Sequence, residues 1–357
     1  MQGISVPQER ETFFWADRLR NIATVLVIAI HIAAPIAHAY PNVDTWWWWA
    51  GNWWNSLGRP AVPLFVMLSG YLLLSKDYPL PVFLKKRFAR IIIPALFWMG
   101  VYLLYSFIAK GTPSTVWEVV KSIVSGPVHY HLWFIYLIIG LYLIYPILRA
   151  WVKTATEQEL LYFLILCAFC TWVYKILYVF ANLSIGIYFE LFTNNAGYFV
   201  LGFYLGNKPA ADESKPGRPW AFSQRQLGYI GLALIIAGTV ATALLSYWFS
   251  HSKGQNFTFF YDYLTPNVSL SAIGWFLFVK YTCNARPLID IEKDFAAASF
   301  GIYLAHVLVI DWWAQCGYWH SKEPPFKGIP ILIGLVTIMS FMMIAFLRTM
   351  PGGKKIT

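Results

Sequence analysis

Ten stretches of the sequence are almost wholly apolar and long enough to cross a lipid bilayer as helices. A helix rises 1.5 Å per residue, so about 20 apolar residues span a hydrocarbon core roughly 30 Å thick. Polar positions gather in short segments between these stretches, and we expect 208–225 to be a cytoplasmic loop and 40–58 an outer loop. The pattern predicts membrane-spanning helices near residues 15–39, 60–75, 90–109, 131–149, 158–181, 191–207, 226–249, 265–281, 295–317 and 328–348.

The composition supports a membrane protein with a single domain. Of the 357 residues, 58% are hydrophobic and only 12% are charged, whereas soluble domains carry roughly 25% charged residues. No polar segment is long enough to fold alone. We therefore expect an all-α polytopic bundle of about ten transmembrane helices, one domain over residues 1–357, in the cell (cytoplasmic or inner) membrane.

The basic residues predict the orientation of this bundle. Lys and Arg concentrate in the cytoplasmic loops of membrane proteins. With a cytoplasmic N-terminus, the cytoplasmic segments hold twenty Lys and Arg residues and the opposite side holds six. Both termini are therefore predicted to be cytoplasmic. The formal net charge of +10 then reflects topology and contact with anionic lipid headgroups, and we expect no nucleic-acid partner.

The four cysteines indicate neither a metal site nor a disulfide framework. Cys167 and Cys170 lie within an apolar predicted helix, and no His or carboxylate stands nearby in the sequence to complete a metal site. We expect buried, inert thiols and no metal cofactor.

Two ionisable side chains, Arg20 and His31, bracket the apolar run of the first predicted helix. Eleven residues make about three helical turns, so both side chains share a face and lie about 16 Å apart along the axis. Ionisable groups at this depth are costly unless they face a wet cavity or a partner. Arg20 is then either an interfacial anchor or a binding group, and His31 either a packed imidazole or a reactive one.

A second basic feature lies in the segment FLKKRFARIIIP, residues 83–94. Arg87 and Arg90 are three residues apart, so their guanidinium groups project side by side at the predicted cytoplasmic end of a helix. The planar fork of Arg suits phosphate oxygens. A simple topology signal and a phosphate-binding pair both fit this spacing. With Arg20 at the same depth, the pair predicts a phosphate-bearing ligand that enters from the cytoplasm.

Polar side chains also occur in two later predicted helices, at the outer end of the first and within the second. His129 and His131 precede a helix rich in aromatic residues, where they are either rim residues or contacts for a hydroxyl substrate. Tyr303 and His306 share one face of a helix with Ser299, as an interhelical hydrogen-bond seam or as part of a polar lining.

Six tryptophans fall within residues 46–54 of the predicted outer loop. Anchoring at the membrane interface explains most such runs. The alternative is a stacking platform for a sugar ring, because flat aromatic faces suit the C–H faces of sugars. We predict Trp53 as a substrate contact on the second interpretation.

Several of these segments, taken in order, resemble the integral-membrane acyltransferase-3 family. The likeness extends over most of the chain and is nearest to stand-alone members that O-acetylate surface polysaccharides. One departure is Asn21, where family members often have Gly. The segments are ADRLRNIATVLVIAIH, VPLFVMLSGYLLL, FLKKRFARIIIP, HLWFIYLIIGLYLIYPIL, GYFVLGFYLG and SFGIYLAH.

The resemblance implies an enzyme that takes an acyl group, acetyl above all, from cytoplasmic acyl-CoA to a hydroxyl of an extracytoplasmic or lipid-linked glycan. Acetyl-CoA is then a co-substrate. The family pattern makes His31 and Arg20 catalytic, and Arg87 and Arg90 join Arg20 as donor-binding residues. We expect His129, His131, Tyr303, His306 and Trp53 to contact the acceptor.

The chemistry of a sugar hydroxyl gives His31 two roles that the sequence leaves open. A hydroxyl needs a base within hydrogen-bond reach, and desolvation favours the neutral imidazole that accepts its proton. His31 is such a base, or it carries the acyl group as a covalent relay.

Two other classes of protein fit the same polar residues. A transporter or exporter of a small anion or lipid-linked sugar would line its path with them, although no repeat relates the two halves of this chain. A sensory or scaffolding membrane protein would need neither His31 nor Arg20. The sequence also leaves a homo-oligomer open.

Overall fold

The structure is all helical and confirms the predicted fold class. It is a computed structural model that describes residues 14–111, 115–186, 195–214, 217–283, 286–317 and 324–357. In these ranges the chain forms no strand. Its α-helices are α1 (Phe14–His38), α2 (Thr45–Gly58), α3 (Ala61–Leu74), α4 (Leu80–Lys110), α5 (Val116–Val124), α6 (Trp133–Thr154), α7 (Glu157–Ala181), α8 (Ala196–Asn207), α9 (Gln224–Lys253), α10 (Pro266–Thr282), α11 (Asp290–Gln315), α12 (Pro325–Thr349) and α13 (Gly353–Ile356).

Each of the ten predicted spans coincides with a helix. Residues 191–194 of the sixth predicted span lie outside the described residues. By length and composition, eight helical stretches of the described chain are able to cross a membrane, with α2 and α3 counted as one stretch. Helices α8, with 12 residues, and α10, with 17, are shorter than these. A polytopic bundle follows, while the count of ten spans stays a prediction.

The expected outer loop 40–58 is mostly helix α2, which is a correction to the sequence analysis. Asp44 caps the helix by accepting a hydrogen bond from the backbone N–H of Trp46. Asn52 is fully buried, donates to the backbone oxygen of Ala243 and accepts from the Tyr261 hydroxyl. Buried amide side chains depress the hydropathy of this segment without exposing it to water, so the apolar pattern alone did not show the helix.

Helix α1 runs through the middle of the bundle. It packs against α2, α3, α10, α11 and α12, and most of its apolar side chains, including Leu19 and Ile32, are buried. Asn21, the departure from the family pattern, donates from Nδ2 to the backbone oxygen of Glu292 and so ties α1 to α11.

The short helices α3 and α8 cross at glycines. A Cβ atom built on Gly202 would lie 1.8 Å from the backbone oxygen of Met67, and one on Gly70 would lie 1.7 Å from that of Phe199. Only a residue without a side chain permits this approach. This contact holds α3 in place beside α1. Helix α3 carries Val62 and Phe65, which face the candidate site described below.

Candidate active site

His31 faces a group of aromatic and imidazole rings contributed by three other parts of the chain. Its ring centroid lies 5.1 Å from that of His306 on α11 and 5.2 Å from that of Tyr130. The His131 ring is 6.2 Å away. Tyr130 and His131 belong to a short 3-10 turn, Tyr130–Leu132, that leads directly into α6. The structure thus brings together three histidines that are far apart in the sequence.

The contacts of His131 fix its tautomer. Its Nε2 lies 3.4 Å from the backbone oxygen of Leu304, which only accepts hydrogen bonds, so this nitrogen carries the proton. Nδ1 is then an acceptor, and it receives a hydrogen bond of 3.1 Å from Nδ1 of His129. Both ring nitrogens of His131 are therefore engaged within the protein.

Tyr102 of α4 packs against His129 and His131. Its ring stacks on His129 with centroids 4.7 Å apart, and its hydroxyl donates to the backbone oxygen of Leu304 at 2.9 Å. The side chain is fully buried. Sequence reasoning missed Tyr102, because a Tyr within an apolar helix is typical of core packing.

Tyr303 and His306 form the α11 side of the group. The Tyr303 hydroxyl donates to the backbone oxygen of His131. The His306 Nδ1 lies 2.7 Å from the backbone oxygen of Tyr303, one helical turn before it. Both side chains are buried. Ser299, the third residue of the predicted stripe, bonds its own helix at the Ala296 oxygen.

A small cavity opens beside His31. Its volume is about 20 Å³, which is enough for a water molecule. Helices α1, α3, α6 and α11 contribute to its wall, together with His131 of the 3-10 turn and Tyr263 of the loop before α10. The lining residues are Val27, Ile30, His31, Val62, Phe65, His131, Trp133, Phe134, Tyr263 and Tyr303. An imidazole that faces a small cavity with mainly apolar walls is placed to exchange a proton with a group that enters it.

The predicted arginines meet at one end of the bundle, which we call the arginine end. Arg90 interacts electrostatically with Arg87, Arg20 and Arg348. Arg87, Arg90 and Arg20 also interact electrostatically with the phenol of Tyr142. These four arginines come from three helices, α1, α4 and α12.

Counter-charges at the arginine end are few. Asp17 pairs with Arg20, and Arg348 donates to the backbone oxygen of Ala297. Within the described part of the chain, no carboxylate forms a salt bridge with Arg87 or Arg90. This end therefore presents adjacent guanidinium groups that suit an anionic ligand with several phosphates.

A further arginine, Arg59, lies buried close to His31 and was not predicted. It donates to the backbone oxygen of Tyr261 at 3.1 Å and to the Asn55 side-chain oxygen at 2.6 Å. Its guanidinium also lies over the rings of Tyr261 and Tyr263. Burial raises the pKa of Tyr261 to about 12, so the phenol stays protonated at neutral pH.

From the sequence, Arg59 is only one of the six Lys and Arg residues predicted on the side opposite the cytoplasm. The signal that marks it is its position between Gly58 and Pro60, directly before the apolar segment of α3. It interacts electrostatically with His31 and His38, so it contributes positive charge to this side of the site.

Trp53 lies apart from the imidazole group. It sits on α2 with 37% of its side chain exposed, and its contact with an acceptor stays a prediction. Although four histidines gather here, the described residues include no group of three or more His, Cys, Asp or Glu side chains placed to hold a metal ion.

Comparison with known protein families gives a match. The model of the acyltransferase 3 family, described as an acyltransferase domain, matches residues 13–347 and so covers nearly the whole chain. No curated protein and no solved structure matches the chain. The matched range includes Arg20, Arg87, Arg90 and the imidazole group, and it ends one residue before Arg348.

Proposed function

The chain belongs to the acyltransferase 3 family of membrane acyltransferases, and from this premise we propose that it is an acyl-CoA-dependent O-acyltransferase of the cell inner membrane. The acyl group, acetyl in the simplest case, comes from acyl-CoA at the arginine end. The acceptor is a hydroxyl of an extracytoplasmic or lipid-linked glycan. His31, in the interior between these two ends, is the catalytic residue.

The arginine end supports the choice of donor. Coenzyme A carries several phosphate groups, and guanidinium forks bind phosphate oxygens with paired hydrogen bonds. Arg87 and Arg90 have no carboxylate partner in the described chain and are accessible at this end. The long, thin pantetheine arm then brings the thioester toward the interior, past Arg20.

The cavity beside His31 is the observation that carries the proposal. A neutral imidazole at a cavity with mainly apolar walls accepts the proton of a hydroxyl that attacks a thioester carbonyl. A covalent acyl-imidazole relay fits the same position. The buried histidines and tyrosines of the surrounding group hold the cavity walls in place through hydrogen bonds to backbone oxygens.

The test is release of the CoA thiol from acetyl-CoA by the purified full-length protein, with a crude surface-glycan extract as the acceptor. We expect thiol release by the wild type and a loss of at least roughly 10²-fold in His31→Ala, the contribution of a general base. The matched control is His251→Ala, an exposed histidine at the end of α9. Release that is equal in His31→Ala and the wild type would refute the role of His31, and no release by the wild type would refute the donor.

A further inference from the structure

His306 has one ring nitrogen that is committed and one that is not. Nδ1 lies 2.7 Å from the backbone oxygen of Tyr303 and 3.2 Å from that of Ile302. Both oxygens only accept, so Nδ1 carries the proton of the neutral ring. Nε2 is then a lone-pair acceptor, and it is buried with no hydrogen-bond partner among the described residues.

A buried acceptor without a donor is unfavourable, and two rings are near enough to supply one. The His131 ring lies 5.4 Å from that of His306, but both of its nitrogens are engaged with Leu304 and His129. The His31 ring is nearer, with centroids 5.1 Å apart and planes inclined by 37°. His31 is therefore the donor that the arrangement favours.

We propose that His306 is a positioning residue that accepts a hydrogen bond from one ring N–H of His31. This inference rests on the proposed function, since it assigns His306 a part in the same reaction. The two ring centroids lie 5.1 Å apart, and hydrogen bonds between catalytic groups are often long before substrate binds. The other nitrogen of His31 is then unprotonated and faces the cavity.

The hydrogen bond defines how His31 acts as a base. The unprotonated nitrogen takes the proton of the acceptor hydroxyl while the oxygen forms a bond to the thioester carbonyl carbon. The carbon–sulfur bond breaks, and the thiolate takes that proton from the imidazolium to leave as the CoA thiol. His306 holds the first N–H throughout, as the buried carboxylate does for the histidine of serine proteases.

Turnover by two variants separates positioning from structure. His306→Phe keeps the volume without an acceptor, and we expect kcat to fall roughly 10²-fold while KM for acetyl-CoA is unchanged. His306→Gln places a carbonyl oxygen near the position of Nε2, so it recovers part of this loss. His251→Phe is the control. Equal losses in the Gln and Phe variants, or a loss confined to KM for the acceptor, would overturn the proposal.

A second measurement does not depend on activity. The chain has seven histidines, so nitrogen-15 NMR of histidine-labelled protein resolves their tautomers, with His31→Gln to assign the His31 signals. We expect one neutral tautomer of His31 in the wild type and a mixture of two in His306→Phe. Identical His31 tautomers in both proteins would overturn the hydrogen bond. Absence of thiol release would instead refute the proposed function. The NMR measurement would still test the hydrogen bond between His31 and His306.

Discussion

At the scale of single residues, Arg87 and Arg90 are the feature of the arginine end that calls for an anionic ligand, because neither forms a salt bridge with a carboxylate of the described residues. Like charges held together repel, so an anion that binds between them relieves that repulsion and gains charged hydrogen bonds. Arg90 has three guanidinium neighbours, Arg20, Arg87 and Arg348, and of these Arg20 pairs with Asp17.

Replacing Arg90 with Gln tests this property. A charged hydrogen bond contributes about 1.5–3 kcal/mol, so we expect KM for acetyl-CoA to rise by at least roughly tenfold in Arg90→Gln while kcat changes little. Lys86→Gln, which removes an exposed charge from the same helix, is the control. Steady-state thiol release at varied acetyl-CoA measures both constants. An equal rise in KM in Arg90→Gln and Lys86→Gln would show that acetyl-CoA responds to the overall positive charge. It would contradict a specific phosphate-binding role of Arg87 and Arg90.

Arg59 joins the end of α2 to the segment before α10, so we expect it to stabilise the fold. Arg59→Met removes the donors to the Tyr261 oxygen and to Asn55, and the loss of two charged hydrogen bonds costs about 3–6 kcal/mol. Arg59→Lys keeps the charge but reaches fewer acceptors, so its loss is intermediate. Thermal unfolding of the detergent-solubilised protein measures both, and an unchanged midpoint in Arg59→Met would contradict the assigned role.

The spacing of residues within one helix was enough to predict some of the site. Arg20 and His31 share a face of α1, and Arg87 and Arg90 share a face of α4, because helical periodicity fixes such relations locally. The contact of His31 with His306 and the burial of Arg59 depend on how α1, α11 and the segment 259–263 pack. No local pattern encodes that packing, so these features required the structure.

At the scale of helices, hydropathy found the apolar segments and missed α2. The tryptophans and the asparagines that bury their amides lower the hydropathy of residues 45–58, although the segment packs against α1 as the apolar helices do. The amphipathic helix α5 was missed for a related reason. It has no buried residue, and its nine residues are too few to give an apolar run of membrane length.

The crossing of α3 and α8 gives a test at this scale. In Gly202→Ala the new Cβ would meet the backbone oxygen of Met67, which cannot move aside as a side chain would. Overpacking of this kind costs 1–3 kcal/mol or more, so we expect a lower yield of monodisperse protein on size exclusion and a lower unfolding midpoint. Gly100→Ala on α4, which has open space around its Cβ, is the control. Equal behaviour of the two variants would contradict the tight crossing.

At the scale of the whole molecule, His31 lies in the interior between two chemically different ends. The arginine end carries the predicted cytoplasmic charges, and the opposite end carries α2 with its exposed tryptophans, Trp46 and Trp53. Hydropathy and charge alone predicted this polarity. The positions of the donor and the acceptor on opposite faces follow from it as a proposal.

Acyl transfer across a sealed membrane tests directly whether the donor and the acceptor bind on opposite faces of the protein. The protein is reconstituted in vesicles whose orientation is checked by protease cleavage of a C-terminal tag, with glycan acceptor trapped inside and labelled acetyl-CoA added outside. If acyl-CoA binds at the arginine end, we expect labelled glycan in the lumen when that end faces outward. We expect no labelled glycan with His31→Ala. Labelling only when donor and acceptor share the same side, or labelling that survives His31→Ala, would contradict it.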